Sequence, residues 1–214
     1  MLITNRLKEI NKKISSNLSL VAVSKTRNNK EILESYKSGQ LMFGENKVQE
    51  LTKKHEELPK NIQWHMIGHL QTNKVKYIAK FISLIHTVDS IKLMKEINKR
   101  AFNENRIIDC LIQIHIANEE NKFGFKIHEI NNVLDLAKDL KNINIKGLMG
   151  MGTYTDDLDI INNEFKILNS EFLKRKTFEF DTLSMGMSND YKIALDVGSN
   201  MIRIGSLLFG KRNY

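Results

Sequence analysis

Eight short apolar runs, separated by segments with helical periodicity, constrain the fold of this chain more than any other feature. The runs are continuous instead of alternating, which is typical of parallel strands covered by helices on both faces. They occupy residues 18–26, 41–45, 62–68, 83–90, 108–117, 145–152, 182–187 and 201–205. Because strand and helix alternate eight times, the pattern predicts an α/β fold, a (β/α)8 TIM barrel, and 214 residues lies near the lower size limit for that fold.

The segments between the runs repeat their apolar residues with the period of a helix. The predicted buried faces are Ile91, Met94, Ile97 and Ala101; Ile130, Val133, Leu134 and Ala137; and Ile161, Phe165, Leu168 and Phe172. Ser90 is placed to cap the helix that begins at Ile91. Only SLLFGKRNY follows the eighth run, so we expect a helix over about residues 3–17 to cover part of the barrel exterior.

We expect residues 1–214 to form a single domain, because no linker, repeat or low-complexity segment interrupts the pattern. A doubly wound open sheet is the structural alternative. It is disfavoured because the first run lacks the G-x-G-x-x-G turn that often follows the first strand of such sheets.

The formal charge of +8 and the pI near 9.4 raise the question of an anionic partner. The lysines are scattered among glutamates and asparagines without a compact basic run, which favours a solvated surface and no nucleic-acid partner. No stretch approaches the roughly 18 apolar residues of a membrane helix, so we expect a cytoplasmic protein without a membrane partner. Cys110 lies inside an apolar run, where a small buried thiol is expected instead of a nucleophile.

Lys25 follows the first run at its C-terminal end, where the active sites of TIM barrels lie. Val21 and Val23 would share its face, so the amine would emerge at the barrel mouth if that face points inward. An apolar surround lowers the pKa of a lysine and yields the neutral amine that attacks a carbonyl. A Schiff-base lysine is therefore chemically sensible here, although a strand-end lysine that extends into solvent fits the same pattern.

The segments after the seventh and eighth runs carry glycines and hydroxyls, at the place where TIM barrels often bind phosphate. Ser188 precedes a short helical segment, DYKIALDV, whose first amides could receive an anion. Gly205 and Ser206 would add further donors. Each of these residues also fits an ordinary turn or cap, but together with Lys25 they describe a pocket for an aldehyde that carries a phosphate.

Arg203 shares its face with Met201 and Gly205 if the eighth run is a strand. If that face points inward, a guanidinium lies in the barrel mouth, where it would oppose protonation of a pyridine nitrogen and weaken a pyridoxal cofactor as an electron sink. An ion pair with Asp196 or Asp181 is the alternative interpretation.

His65 and His69 flank the end of the third run and raise the question of a metal site. On a strand, four residues span about 13 Å, which is too far for two ligands of one ion. No cysteine or acidic cluster completes a site, so we expect structural roles and no metal.

Several motifs along nearly the whole chain resemble the pyridoxal-phosphate homeostasis protein family. They are VAVSKT (21–26), FGENKVQEL (43–51), WHMIGHLQTNK (64–74), HTVDS (86–90), KFG (122–124), GLMGM (147–151), LSMGMSNDYKIA (183–194) and GSNMIRIGSLLFG (198–210). That family is similar in fold to the N-terminal barrel domain of alanine racemase, which is PLP fold type III.

The resemblance implies that pyridoxal 5'-phosphate (PLP) forms a Schiff base with Lys25, and that Ser188, Gly205 and Ser206 hold its phosphate. It also implies that Arg203 faces the ring nitrogen and that Asn46 lies near the cofactor. Asn200 and Ser206 stand where threonines are common in the family, and the segment GMGTYTDD lacks a proline often found there. The contribution of the sixth strand is therefore open.

The resemblance further implies a carrier or buffer of PLP that maintains vitamin B6 and amino-acid homeostasis, with PLP-dependent apoenzymes as recipients. We expect a monomer. We also expect no robust turnover, because racemisation needs a base on each face of the substrate and this length leaves no second domain to supply one. Tyr154 or a dimer partner is the remaining source of that base. A small racemase-like PLP enzyme and a basic RNA-interacting barrel are the alternatives, and the latter predicts salt-dependent binding that does not need Lys25.

Overall fold

The computed structural model describes residues 2–15, 18–119 and 123–211. Its eight strands close into a parallel barrel in sequential order, and the ring closes where β8 pairs with β1. The strands are β1 (Ser19–Val23), β2 (Met42–Glu45), β3 (Gln63–Met66), β4 (Leu84–Val88), β5 (Ile108–Ile114), β6 (Ile143–Gly150), β7 (Thr182–Ser184) and β8 (Met201–Ile204). The predicted TIM barrel is confirmed, and the open sheet is excluded.

Helices alternate with the strands around the outside of the barrel. They are α1 (Ile3–Lys13), α2 (Asn29–Lys37), α3 (Val48–Glu57), α4 (Val75–Ile78), α5 (Ile91–Asn103), α6 (Ile130–Ala137), α7 (Leu158–Leu173), α8 (Tyr191–Val197) and α9 (Ser206–Phe209), with short 3-10 turns at Thr72–Lys74 and Ile127–Glu129. Within the described ranges, every helix is too short or too polar to cross a bilayer.

Most of the predicted helix faces are buried, and the predicted cap is present. The Ser90 hydroxyl accepts the Leu93 amide at 3.3 Å, and three of the four predicted residues in α5 are fully buried, Ile91 being only partly so. Leu134 and Ala137 are also only partly buried. The first helix ends at Lys13, earlier than predicted, and packs against α2 and α9 as the covering role requires. Residues 16 and 17 of that prediction lie outside the described residues.

The sixth strand begins earlier than its apolar run. β6 pairs with β5 from Ile143 onwards, opposite Ile108, and includes the polar Asn144 opposite Asp109. Because Asn144 interrupts the apolar pattern, the sequence places this boundary two residues too late.

Side chains alternate between the barrel interior and the surrounding helices. The interior contains an apolar cluster of Val21, Leu84, Leu111, Met149 and Met201. The next inward-facing positions of β4, β5 and β8 are polar, namely His86, Gln113 and Arg203, and all three are buried. The barrel therefore carries a buried polar level on the side of its C-terminal mouth.

Candidate functional site

A cavity of about 640 Å³ lies at the C-terminal ends of the strands. Five of the six predicted site residues line it, namely Lys25, Ser188, Arg203, Gly205 and Ser206. The volume falls within the range of small-molecule sites. Residues from β1, β8 and the connections after β6 and β7 converge here because a parallel barrel presents the C-terminal ends of all its strands at one face.

Lys25 follows β1 on the inward-facing side of the chain. Val21 lies in the interior cluster and Val23 lines the cavity, so the predicted alternation carries Lys25 to the mouth. The lysine is half-buried. Its neighbour Ser24 points the opposite way and is fully buried.

A buried ionic cluster outside the barrel wall holds Ser24. Its hydroxyl donates to Glu45 Oε1 at 2.6 Å, and Lys54 of α3 donates both to the Ser24 carbonyl at 2.7 Å and to Glu45 Oε1 at 2.8 Å. Burial raises the pKa of the Glu45 carboxyl, and the Lys54 ammonium opposes that rise. Glu45 Oε2 is buried and has no hydrogen-bond partner in the described part of the chain.

The same cluster reaches the residue on the other side of Lys25. Glu50 Oε1 accepts from Lys54 at 2.7 Å and from the Thr26 amide at 2.6 Å. Thr26 has a φ of 64°, an uncommon conformation for a threonine. Both chain neighbours of Lys25 are thus anchored. Sequence reasoning missed this cluster, because nothing in the pattern pairs Glu45 with Lys54.

The two glycine- and hydroxyl-containing segments meet on the other side of the cavity. Ser188 Oγ accepts from the Gly205 amide at 3.2 Å and from the Leu207 amide at 3.5 Å. Ser206 is exposed at the start of α9. The structure therefore brings together the three residues that the sequence singled out for a phosphate.

The helix after Ser188 is less available to an anion than expected. α8 begins at Tyr191, and the Asp190 carboxylate just before it accepts the Met187 amide at 2.5 Å. A carboxylate therefore already lies at this helix start and would repel a second anion.

Arg203 is buried in the mouth of the barrel, with 3% of its surface exposed. Its guanidinium donates to Ser184 Oγ at 2.6 Å and to the Gly150 carbonyl at 3.0 Å. Burial lowers the pKa of Arg203 to about 10, while Asp190 opposes the shift, so the group stays charged at neutral pH. Among the described residues, Arg203 forms no ion pair with Asp196 or Asp181, and its guanidinium partners are Ser184 and Gly150 instead.

Asn46 and the segment after β6 differ from the expectation. Asn46 is half-buried after β2, against Gly68, and is not among the described residues that line the cavity. The segment GMGTYTDD, by contrast, forms a wall of the cavity from Met151 to Asp156. Tyr154 lies in this wall and is 92% exposed.

The remaining candidates have structural surroundings. His65 lies inside the barrel, whereas His69 contacts Asp89 at 2.8 Å and stacks on Phe123. Cys110 is buried, and burial raises the pKa of its thiol. Within residues 2–15, 18–119 and 123–211, no group of three or more His, Cys, Asp or Glu side chains is placed to hold a metal ion. Lys122 of the KFG motif lies outside the described residues.

Comparisons with known proteins agree with this geometry. A family model described as alanine racemase, N-terminal domain, matches residues 2–213. The pyridoxal phosphate homeostasis protein of Aquifex aeolicus is 38% identical over 199 residues, which are 91% of this chain and 87% of that protein. PipY of Synechococcus elongatus, solved with PLP bound, has a TM-score of 0.88 and 29% identity and covers 97% of this chain and 100% of its own.

Alanine racemase from Clostridium difficile shares the fold, with a TM-score of 0.76 at 17% identity. The match covers 100% of this chain but only 56% of the racemase. The sequence motifs, the closed barrel and these matches lead to one conclusion: the chain belongs to the pyridoxal phosphate homeostasis proteins, within the alanine racemase N-terminal domain family.

Proposed function

We propose that this protein binds PLP in the cavity at the barrel mouth and carries or buffers the cofactor, thereby maintaining vitamin B6 and amino-acid homeostasis. The observation that carries this proposal is the convergence of an amine, a guanidinium and a hydroxyl- and amide-bearing loop pair on one cavity of about 640 Å³. PLP carries an aldehyde, a pyridine nitrogen and a phosphate, and each has a complementary group here.

Lys25 is the residue that we assign to the aldehyde. With PLP bound, the Lys25 amine would hold the cofactor covalently at its aldehyde, with loss of one water. The Glu45–Lys54–Glu50 cluster fixes the backbone on both sides of Lys25, so the amine is directed into the cavity.

Ser188, Gly205 and Ser206 are the residues that we assign to the phosphate. Hydroxyls and backbone amides are suitable donors to phosphate oxygens, and the Gly205 and Leu207 amides already converge on Ser188 Oγ. Arg203 faces the cavity with a charged guanidinium, which would oppose protonation of a ring nitrogen beside it. Asn46 stays a proposed neighbour of the cofactor.

The names of the relatives support the same function. The Aquifex aeolicus protein is called a pyridoxal phosphate homeostasis protein, and the PipY structure is described with PLP bound. We propose in addition that the protein acts in the cytoplasm as a monomer, without a nucleic-acid partner, and that PLP-dependent apoenzymes receive its cofactor.

A racemase-like activity on amino acids is the second candidate. Tyr154 lines the cavity and is exposed, so it is a possible source of the second base. Racemisation of alanine by the PLP-loaded protein, faster than by free PLP and lost in Tyr154→Phe, would favour this candidate. Carriage predicts no such activity.

The experiment for the proposed function is a PLP titration in which unbound PLP is removed before the visible absorbance of the protein is read. Wild-type protein should develop a yellow band, Lys25→Ala should not, and Ser188→Ala should need more PLP. Lys53→Ala is the matched control, because Lys53 is an exposed lysine of α3 that does not line the cavity. An identical band in Lys25→Ala would contradict the proposal.

A further inference from the structure

A chain of buried polar side chains crosses the barrel interior beneath the cavity. His65 Nδ1 lies 3.0 Å from His86 Nε2, and His86 Nδ1 lies 3.1 Å from Ser184 Oγ. Arg203 then donates to the same hydroxyl at 2.6 Å. The chain connects β3 and β4 on one wall with β7 and β8 on another.

All four residues are at most 3% exposed, so water does not compete for these hydrogen bonds. Polar groups buried in this way are costly unless their hydrogen bonds are made. Leu84 and Met201 belong to the apolar cluster of the barrel interior. They lie one inward-facing position before His86 on β4 and before Arg203 on β8. The polar chain therefore rests on a packed apolar level, which limits how far its members can move.

The charge on Arg203 sets the direction of the hydrogen bonds. A guanidinium can only donate, so Ser184 Oγ accepts from it. The positive charge then favours an arrangement in which the Ser184 proton points away, towards His86 Nδ1. A neutral imidazole that accepts at Nδ1 carries its proton on Nε2, so His86 donates to His65 Nδ1.

The environment of the two histidines agrees with this direction. Burial lowers the pKa of His65 to about 4. Burial, followed by the proximity of His65 and of the charged Arg203, holds the pKa of His86 well below its usual range. Both imidazoles are therefore neutral at pH 7, as a one-directional chain requires.

We propose that His86 is a positioning residue that acts through Ser184 to fix the Arg203 guanidinium at the barrel mouth, with His65 anchoring His86 from the opposite side. The effect on PLP rests on the proposed function, in which Arg203 faces the ring nitrogen. The Gly150 carbonyl holds the second guanidinium nitrogen, so loss of Ser184 leaves Arg203 with one of these two anchors.

The first test examines the hydrogen-bond chain in the full-length protein without PLP. Nitrogen NMR of histidine-labelled protein should show both imidazoles neutral, with the proton on Nε2. Ser184→Ala should shift the His86 signals. The matched control is Ser35→Ala, since Ser35 is a fully buried serine of α2 whose hydroxyl has no partner among the described residues. A proton on His86 Nδ1, or a spectrum insensitive to Ser184→Ala, would overturn the proposed chain.

The second test measures PLP binding and the spectrum of bound PLP. Ser184→Ala should weaken PLP binding about tenfold, because the Arg203 guanidinium loses a hydrogen-bond partner. His86→Leu should weaken binding in the same direction, because Ser184 loses the partner that orients its hydroxyl. His86→Asn, whose side-chain oxygen can accept from Ser184, should recover most of the loss. The pH at which the absorbance of bound PLP changes should shift in Ser184→Ala and not in Ser35→Ala.

The outcomes separate this inference from the proposed function. Wild-type affinity and an unchanged pH profile in both Ser184→Ala and His86→Leu would overturn the positioning role while leaving PLP binding intact. Wild-type protein that does not bind PLP would contradict the proposed function and, with it, the role towards PLP. The NMR result would still decide whether the hydrogen-bond chain exists as drawn.

Discussion

The position of Lys25 depends on charged side chains buried outside the barrel wall, next to its chain neighbour Ser24. Glu45 and Lys54 are almost completely buried, with side-chain exposures of 0% and 6%, and together they hold Ser24. Breaking such a pair from one side leaves an ammonium in the protein interior. Because Glu50 still neutralises part of this charge, we expect Glu45→Gln to lower the free energy of unfolding by about 2 kcal/mol. Urea unfolding measures the loss.

The control is another glutamate paired with a cationic side chain, nearer the surface. Glu96 and Arg100 lie 2.6 Å apart, with side-chain exposures of 22% and 31%. Glu96→Gln should therefore cost less than about 1 kcal/mol. Equal losses of unfolding free energy in the two variants would mean that burial does not increase the contribution of the Glu45–Lys54 pair to stability.

The two neutral histidines make the stability of the barrel depend on pH. The pKa of His65 is lowered to about 4 by burial, so below the ordinary value of 6.5 the unfolded chain binds a proton that the folded chain does not. Stability should fall as the pH falls through this window, by about 2 kcal/mol for His65 between pH 7 and pH 5. His86 adds to the loss, and Arg203 faces the pair as a fixed charge.

Urea unfolding at both pH values measures this dependence, and His65→Gln should show a clearly smaller drop than wild type. The comparison with a variant removes the contribution of Glu45, whose raised pKa acts in the opposite direction. The same drop in both proteins would show that His65 titrates normally.

At the level of elements, β6 depends on one glycine. The register between β5 and β6 shifts just before Gly147, whose φ is +154°. A Cβ at this position would lie 1.8 Å from the Thr182 carbonyl oxygen of β7. Gly147→Ala should therefore separate β6 from β7 and cost about 3 kcal/mol or more. Thermal unfolding followed by circular dichroism checks this.

Gly39→Ala provides the matched comparison. Gly39 also has a positive φ, of +98°, but a Cβ there would meet nothing within 4 Å. Only the backbone strain remains, so the expected cost is about 1–2 kcal/mol. If Gly39→Ala were as destabilising as Gly147→Ala, the clash with β7 would not be the cause.

The elements themselves were largely predictable from the sequence. Parallel strands buried on both faces leave continuous apolar runs, so all eight strands could be located, and Ser90 marked the start of α5. The start of β6 could not be predicted from the sequence. The polar Asn144 interrupts the apolar run, although it pairs within the sheet like any other residue. The cavity residues could be predicted because strand ends of a TIM barrel converge whatever their spacing in the sequence.

Contacts that depend on register and side-chain direction could not be predicted. His86 and Ser184 are 98 residues apart in the sequence and meet only because the barrel closes. Glu45 and Lys54 meet because one points out from β2 and the other in from α3. The wall that GMGTYTDD contributes depends on a loop conformation that periodicity does not describe.

At the scale of the whole molecule, the barrel interior has two levels. The lower level is apolar and packed, whereas the level near the mouth is polar and carries the groups suited to PLP. The cavity opens to solvent beside the exposed Tyr154, which favours exchange of a cofactor over protection of a reactive intermediate.

Borohydride trapping with peptide mapping shows whether PLP bonds to Lys25. Reduction fixes the cofactor on its lysine, and trypsin does not cleave after a modified lysine. We expect the mass of reduced PLP on a peptide spanning residues 14–27, with Lys25 as the modified residue. Adduct on other lysines with none on Lys25, in folded protein given excess PLP, would contradict this expectation.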